Sequence, residues 1–337
     1  MWLLALLALV VSLLLLAVYT THPADLPVSQ SLHAPKANFA STVGFEWCST
    51  ELPPPFSFFD NGMRPAFRIK FKAGSGACSA LIGLLEGAMH ASVNDRPYFI
   101  DESQSRLKGN RSSWYTRYFA PVGISNVTDD FTDIAYTKNV TNWVRRPNLT
   151  LDGLTLPKLE IKRRFLRRFW HFQPWVQQEV CKHVQMLGLS RPYIGVLIRR
   201  GDKYSLEHFP PISIRQIIDV LSSVTFLVVK DVFIATDDCR VVEELQQYAL
   251  QRNVKSLCHL YFGVGFELRN LSQTPSSDLD QHYLKFFGEL IALAAADLFI
   301  GDSTTNVHHW VAYMRPVGSH AATMMDMRLY PFVNDVI

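Results

Sequence analysis

Arg199 and Arg200 stand side by side after the apolar run Tyr193–Ile198 (YIGVLI), followed by Gly201, Asp202 and Lys203. Neighbouring guanidiniums at a strand end are costly to bury without anions, and each presents a planar fork that pairs with phosphate or carboxylate oxygens. Thr236, Asp237 and Asp238 follow a second apolar run at 231–235, and Ser303, Thr304 and Thr305 follow a third at 298–301. Hydroxyls and open backbone N–H groups at a helix start make an anion site, strengthened by the helix dipole. The arginines and the hydroxyl turn could together hold a diphosphate without a metal ion. The same residues also permit a purely structural arrangement. In that arrangement the arginines pair with Asp202, Asp237 and Asp238, and Thr304 is a helix N-cap.

Other phosphate or metal machinery is sparse. There is no GxxxxGKS/T loop, and Gly74-x-Gly76 lacks the third glycine of a dinucleotide fingerprint. Asp278-x-Asp280 has the spacing of a metal-binding pair, but it precedes an apolar helical run, where helix capping is the simpler expectation. His308-His309 lacks ligand spacing, so no metal site is expected. Arg200-Gly201-Asp202 is an adhesion-type tripeptide that closes a buried-type strand and reads as coincidence.

The elements that must position these groups follow an α/β pattern. Residues 66–72 alternate like a strand, 74–79 read as a tight turn, 80–92 as a helix and 96–101 as the next strand, one βαβ unit. Residues 108–156 read as surface loops with short strands. Residues 158–185 read as helical, with Lys158, Lys162, Arg163, Arg164, Arg167 and Arg168 forming a basic stripe that is solvated or set between domains, with binding of an acidic partner or lipid headgroup as the alternative. Strands then follow at 193–198, 231–235, 257–262 and 298–301, alternating with helices at 241–252, 279–296 and from Ser303 to about Met314. Parallel sheets wound this way bind ligands at the carboxyl ends of their strands, where the three polar clusters fall.

The 337 residues carry 33 Lys and Arg against 30 Asp and Glu, a formal net charge of +3. That balance does not support a nucleic-acid partner. A hydrophobic fraction of 48% against 19% charged excludes a disordered chain. Residues 2–19 are apolar or small and uncharged, just long enough to cross a bilayer core at about 1.5 Å per residue. A signal anchor over 1–22 is expected, with a cleaved signal peptide as the alternative. Residues 23–65 read as a stem. Asn-x-Ser/Thr sequences at Asn110, Asn126, Asn139, Asn148 and Asn270 fit a lumenal or secreted body. The five cysteines, Cys48, Cys78, Cys181, Cys239 and Cys258, allow at most two intrachain disulfides and leave one over.

Gln173-Pro174-Trp175, Leu187-Gly188-Leu189, Pro192 and the stretch 194–203 resemble the α1,6-fucosyltransferase family, which adds core fucose to N-glycans and has bacterial nodulation relatives. The resemblance continues through 235–238, Gly288-Glu289-Leu290 and Asp297-Leu298-Phe299, and earlier through Glu102-Ser103-Gln104, Trp114 and Pro121-Val122. It implies a GT-B-like fold of two Rossmann-like α/β domains: an acceptor-side domain over 66–170 and a nucleotide-sugar domain, carrying the donor site, over 171–337. It further implies metal-independent transfer of fucose from GDP-fucose, with inversion, to a glycan or glycoprotein acceptor, without a cofactor. With the apolar leader it implies a Golgi or ER membrane protein with a lumenal catalytic domain, or else a secreted one.

Carried over by position, Arg199 would hold the β-phosphate with Thr305, Arg200 would support that grip, and Glu289 would accept two hydrogen bonds from guanine. Glu207 would be the general base. Asp202, Lys203, Asp237, Asp238, Ser303 and Thr304 would complete the polar shell. Leu197 stands where that family has a His, and Arg106-Leu107-Lys108 replaces its Trp-Arg-Tyr. The family's helical stem and SH3-like domains have no counterpart in the sequence, so the acceptor expected is no narrower than a glycan or glycoprotein. The alternatives are a transferase for another nucleotide sugar and a non-catalytic binding relative.

Overall fold

The computed structural model describes residues 46–48, 65–123, 131–133, 148–151, 154–201, 213–223, 229–247, 252–260, 263–265, 267–302, 304–315 and 323–324. Contacts group the chain into Met1–Ser41, outside those residues, and Thr42–Ile337, which carries every element below. The apolar run at 2–19 is thus outside the described residues, among which no helix is long and apolar enough to cross a membrane.

The first half is a small parallel sheet. β1 (Ala66–Lys70) leads through α1 (Ala77–Val93) to β2 (Tyr98–Asp101). Apolar Phe67, Ile69 and Phe71 alternate along β1 and its extension and are buried with Leu81, Leu84, Leu85 and Ala88 of α1. Gly87 lets the helix approach the strand closely, since a Cβ there would lie 2.9 Å from the Ile69 side chain. α2 (Tyr115–Tyr118) comes next, then β3 (Phe131–Asp133), which completes the order β2-β1-β3. β4 (Asn148–Leu151) and β5 (Leu154–Pro157) form an antiparallel pair.

Residues 158–185, expected as one helix, are two: α3 (Lys158–Phe169) and α4 (Pro174–Met186). Pro174 cannot supply the N–H of a helix interior, but it fits the first turn of a new helix. The basic stripe divides accordingly. Arg164, Arg167 and Arg168 are exposed, whereas Lys162 is buried and donates to Glu86 of α1 at 2.8 Å and to the Tyr313 hydroxyl at 3.0 Å.

The second half alternates β6 (Tyr193–Ile198), α5 (Ile214–Ser223), β7 (Asp231–Thr236), α6 (Arg240–Gln247), β8 (Asn253–Lys255), α7 (Ser276–Ala295), β9 (Leu298–Gly301), α8 (Asn306–Met314) and β10 (Thr323–Met324). The strands are parallel in the order β10-β9-β6-β7-β8. Ile194, Val196 and Ile198 lie on one face of β6 with Ile217 and Leu221 of α5 and Val241 and Leu245 of α6. Tyr193 and Leu197, on the opposite face, join the core that holds α4, α7 and α8. With both faces covered, these strands read as unbroken apolar runs.

The strand expected at 257–262 is a correction: the pairing strand is Asn253–Lys255, and Leu257–Leu260 form a turn. The Cys239–Cys258 disulfide ties that turn to the start of α6, and Cys48–Cys181 forms the second bridge, leaving Cys78 as a buried thiol.

Aromatic packing joins the halves. Phe287 of α7 meets the rings of Trp114, Tyr118, Phe119, Trp170 and Phe172 at centroid distances from 5.2 to 6.4 Å. This contact sets the two sheets with their loops toward a common space.

Candidate functional site

That space is a cavity of about 470 Å³, within the range of small-molecule sites. The first sheet contributes the turn from Gly74 to Ser79, and the second contributes the carboxyl ends of β6 and β7 and the start of α8. α7 lines it with His282, Lys285 and Glu289.

Part of the lining suits an anion. Arg199 is on the cavity wall, its Nη1 3.3 Å from an Asp237 carboxylate oxygen. Asp237 is itself fixed by the backbone N–H groups of Arg200 at 2.8 Å and Gly201 at 2.9 Å. The turn after β6 is thereby locked to the end of β7, and the guanidinium of Arg199 is held in place. Arg200, expected to support the same grip, is not in the cavity lining and has its Nη1 3.8 Å from Asp238. Both arginines lie just past the end of β6, and only the first of them lines the cavity. Asp238 is bound by both arms of Arg240 at 2.7 Å, and those bonds hold its carboxyl below the ordinary carboxylate range against the opposing effect of burial.

Thr305, not Thr304, is the N-cap of α8. Its hydroxyl oxygen accepts from the His308 N–H at 3.1 Å and donates to the Asp302 carbonyl at 3.1 Å. Thr304 donates through its N–H and its hydroxyl to the Asp302 carboxylate, at 2.8 and 2.6 Å. Thr304, Thr305, Asn306 and Val307 all line the cavity. Facing them, α1 starts at Gly76 with no side-chain cap, and its first turn also lines the cavity. The N-termini of α1 and α8, each with backbone N–H groups lacking intrahelical acceptors, therefore line the same cavity as Arg199. A Cβ added at Gly74 or Gly76 would meet no protein atom within 4 Å, so the turn leaves room there for something other than protein.

The same cavity holds a buried ion pair. Lys285 donates to Glu289 Oε1 at 2.5 Å and to the Thr236 carbonyl at 2.9 Å. Burial pushes the Glu289 carboxyl above its ordinary range, opposed by the Lys285 ammonium and the Thr236 N–H. Glu289 thus lines the cavity with a cation attached. Lys285 was not found from sequence. The available signal was the i,i+4 spacing of two charges inside an otherwise apolar helix. His282, on the same wall, has its pKa lowered to about 3 by burial and by the charges of Lys285 and Arg199, and is neutral at neutral pH.

Asp202, Lys203, Glu207 and Ser303 lie outside the described residues. One sequence reading changes. Asp280 does not cap α7, which begins after Pro275 without a side-chain cap. Instead Asp280 accepts from Arg117 and from the Tyr118 hydroxyl at 2.8 Å each and sits 3.0 Å from Arg111. Glu102 accepts from the N–H groups of Trp114 at 3.2 Å and Tyr115 at 2.8 Å, so it fixes the start of α2. Among the described residues no three His, Cys, Asp or Glu side chains are grouped to hold a metal ion.

No protein-family profile and no curated protein matches the chain. Solved structures do. NodZ α1,6-fucosyltransferase soaked with GDP-fucose aligns at TM-score 0.50 and 13% identity, over 75% of this chain and 94% of that one. Fucosyltransferase NodZ from Bradyrhizobium aligns at TM-score 0.50 and 12% identity, over 75% and 94%. A mutant of Arabidopsis thaliana FUT1 in complex with GDP aligns at TM-score 0.43 and 11% identity, over 82% and 75%. The GT-B-like α/β fold is shared with the NodZ structures.

Proposed function

We propose that the cavity binds GDP-fucose and that the protein transfers fucose to a glycan or glycoprotein acceptor. One observation carries this reading. Arg199, the N-termini of α1 and α8 and the buried polar pair Lys285–Glu289 all line a single cavity. The shared fold of NodZ, a protein soaked with GDP-fucose, supports it.

In this reading the diphosphate lies between the two helix N-termini, with Arg199 on its oxygens. As the bond from the sugar carbon to the phosphate oxygen breaks, negative charge grows on the leaving diphosphate. Fixed N–H groups and the guanidinium stabilise that charge without reorganising. Asp237 keeps Arg199 aimed, as a positioning residue. These groups supply the positive charge that a metal provides elsewhere, so the transfer is proposed to be metal-independent. The acceptor hydroxyl attacks the opposite face of the sugar carbon, inverting it, and Glu207 takes its proton. The apolar leader and the Asn-x-Ser/Thr sequences support a membrane-anchored protein with this body in the Golgi or ER lumen.

The test is an acceptor array incubated with the purified full chain and GDP-fucose, read by mass spectrometry. Addition of one deoxyhexose and release of GDP, both abolished by Glu207→Gln, is the expected result. Transfer from a UDP-sugar instead, or turnover unchanged in Glu207→Gln, contradicts the reading of the donor or of the base respectively.

A further inference from the structure

α7 is apolar from Phe286 to Ala295 except for Glu289, and Lys285 lies one turn before it. Both side chains are buried and line the cavity. A buried ion pair adds little net stability, because desolvation of both charges offsets their attraction. An apolar pair of the same size would pack this helix at least as well, so the pair is better explained by what it faces.

Its hydrogen-bonding capacity is not filled by the protein. Lys285 has three N–H donors, of which two go to Thr236 O and Glu289 Oε1. A carboxylate has about four acceptor positions, and Glu289 meets Lys285 and the Thr236 N–H. Thr236, the last residue of β7, thus holds the pair through both its N–H and its C=O. One ammonium donor stands beside two carboxylate acceptors.

That order is donor, acceptor, acceptor. The Watson–Crick edge of guanine offers the complement: O6 accepts, while N1–H and N2–H donate. Uracil presents acceptor, donor, acceptor. Cytosine presents donor, acceptor, acceptor, and adenine only a donor and an acceptor. We infer that Lys285 is a specificity-determining residue that donates to guanine O6 while holding Glu289 against N1–H and N2–H. The inference rests on the proposal that a nucleotide occupies this cavity, and it adds a second reader, absent from the sequence expectation, that sees a different atom of the base.

The test is calorimetric titration of the full chain with GDP, 6-thio-GDP, IDP and UDP. 6-thio-GDP replaces O6 by a poor acceptor, and IDP lacks the 2-amino group. Wild type should bind GDP about tenfold tighter than either analogue, the scale of one good base contact. In Lys285→Met the affinities for GDP and 6-thio-GDP should converge. If Lys285→Met weakens both nucleotides and keeps their ratio, Lys285 is structural and the inference fails, while nucleotide binding itself stands. If wild type binds UDP and not GDP, the reading of the cavity fails as well. Should Lys285→Met not fold, wild type still decides, because equal affinity for GDP and 6-thio-GDP overturns the inference.

Discussion

Asp280 offers a sharp separation between structural and chemical readings, because its Asp-x-Asp spacing suits a metal while its contacts suit a clamp. It joins the start of α7 to Arg111, Arg117 and Tyr118 of the first half. Burial raises its pKa, but hydrogen bonds from Arg117 and Tyr118 and the two arginine charges hold it below the ordinary carboxylate range. Its contribution to stability is therefore present above pH 3.8 and fades as pH falls through the lowered value.

Asp280→Asn removes the counter-charge and keeps one acceptor. Arg117 is 45% exposed and recovers water, whereas Arg111 is 12% exposed and is left without its carboxylate. Breaking a fully buried pair costs about 3–5 kcal/mol, and the partial exposure here reduces that to about 2–3 kcal/mol. For a unit of about 300 residues, Thr42–Ile337, this is a fall in Tm of about 3–5 °C. Scanning calorimetry with and without EDTA measures it. The clamp predicts the fall in Tm, with transfer at 25 °C retained and insensitive to chelator. An unchanged Tm together with lost, metal-dependent transfer would refute the clamp.

Two further perturbations probe the packing of α8 and the turn before α1. His308 is fully buried against Phe299, at a centroid distance of 5.1 Å, and burial together with His309 lowers its pKa from 6.5 to about 3. The unfolded chain takes up a proton that the folded one refuses. Stability is thus complete above pH 6.5 and lost below it at about 1.4 kcal/mol per unit. Denaturant titrations should show His308→Phe gaining about 2 kcal/mol on wild type between pH 7.5 and 5, and parallel pH profiles would contradict this. Gly76→Ala should keep stability within about 1 kcal/mol, since its Cβ meets no protein atom, yet weaken GDP binding about tenfold or more. Unaltered GDP affinity would mean that the turn does not face the ligand.

The second sheet was readable because strands covered on both faces are uninterrupted apolar runs whose ends carry the polar residues. Arg199 and Asp237 were found for that reason. The sequence placed Arg199 and Arg200 in one grip, because which of two residues past a strand end enters a cavity is decided by their tertiary partners, here Asp237 and Asp238. The Asp280 partners were hidden by distance along the chain, with Arg111 and Arg117 arriving through tertiary packing. Lys285 was hidden differently: a charge within an apolar helix does not reveal whether it faces water or a cavity. β8 was misplaced because its three residues, Asn253–Lys255, are less apolar than the disulfide-tied turn beside them.

The most direct measurement is calorimetric titration of the full chain with GDP, in wild type and Arg199→Ala. The account predicts saturable binding of GDP in wild type. In the variant it predicts a loss of about 1.5–3 kcal/mol, on the order of 10- to 150-fold, for one charge-assisted contact to phosphate. GDP binding of equal strength in both proteins, or none in wild type, would contradict it.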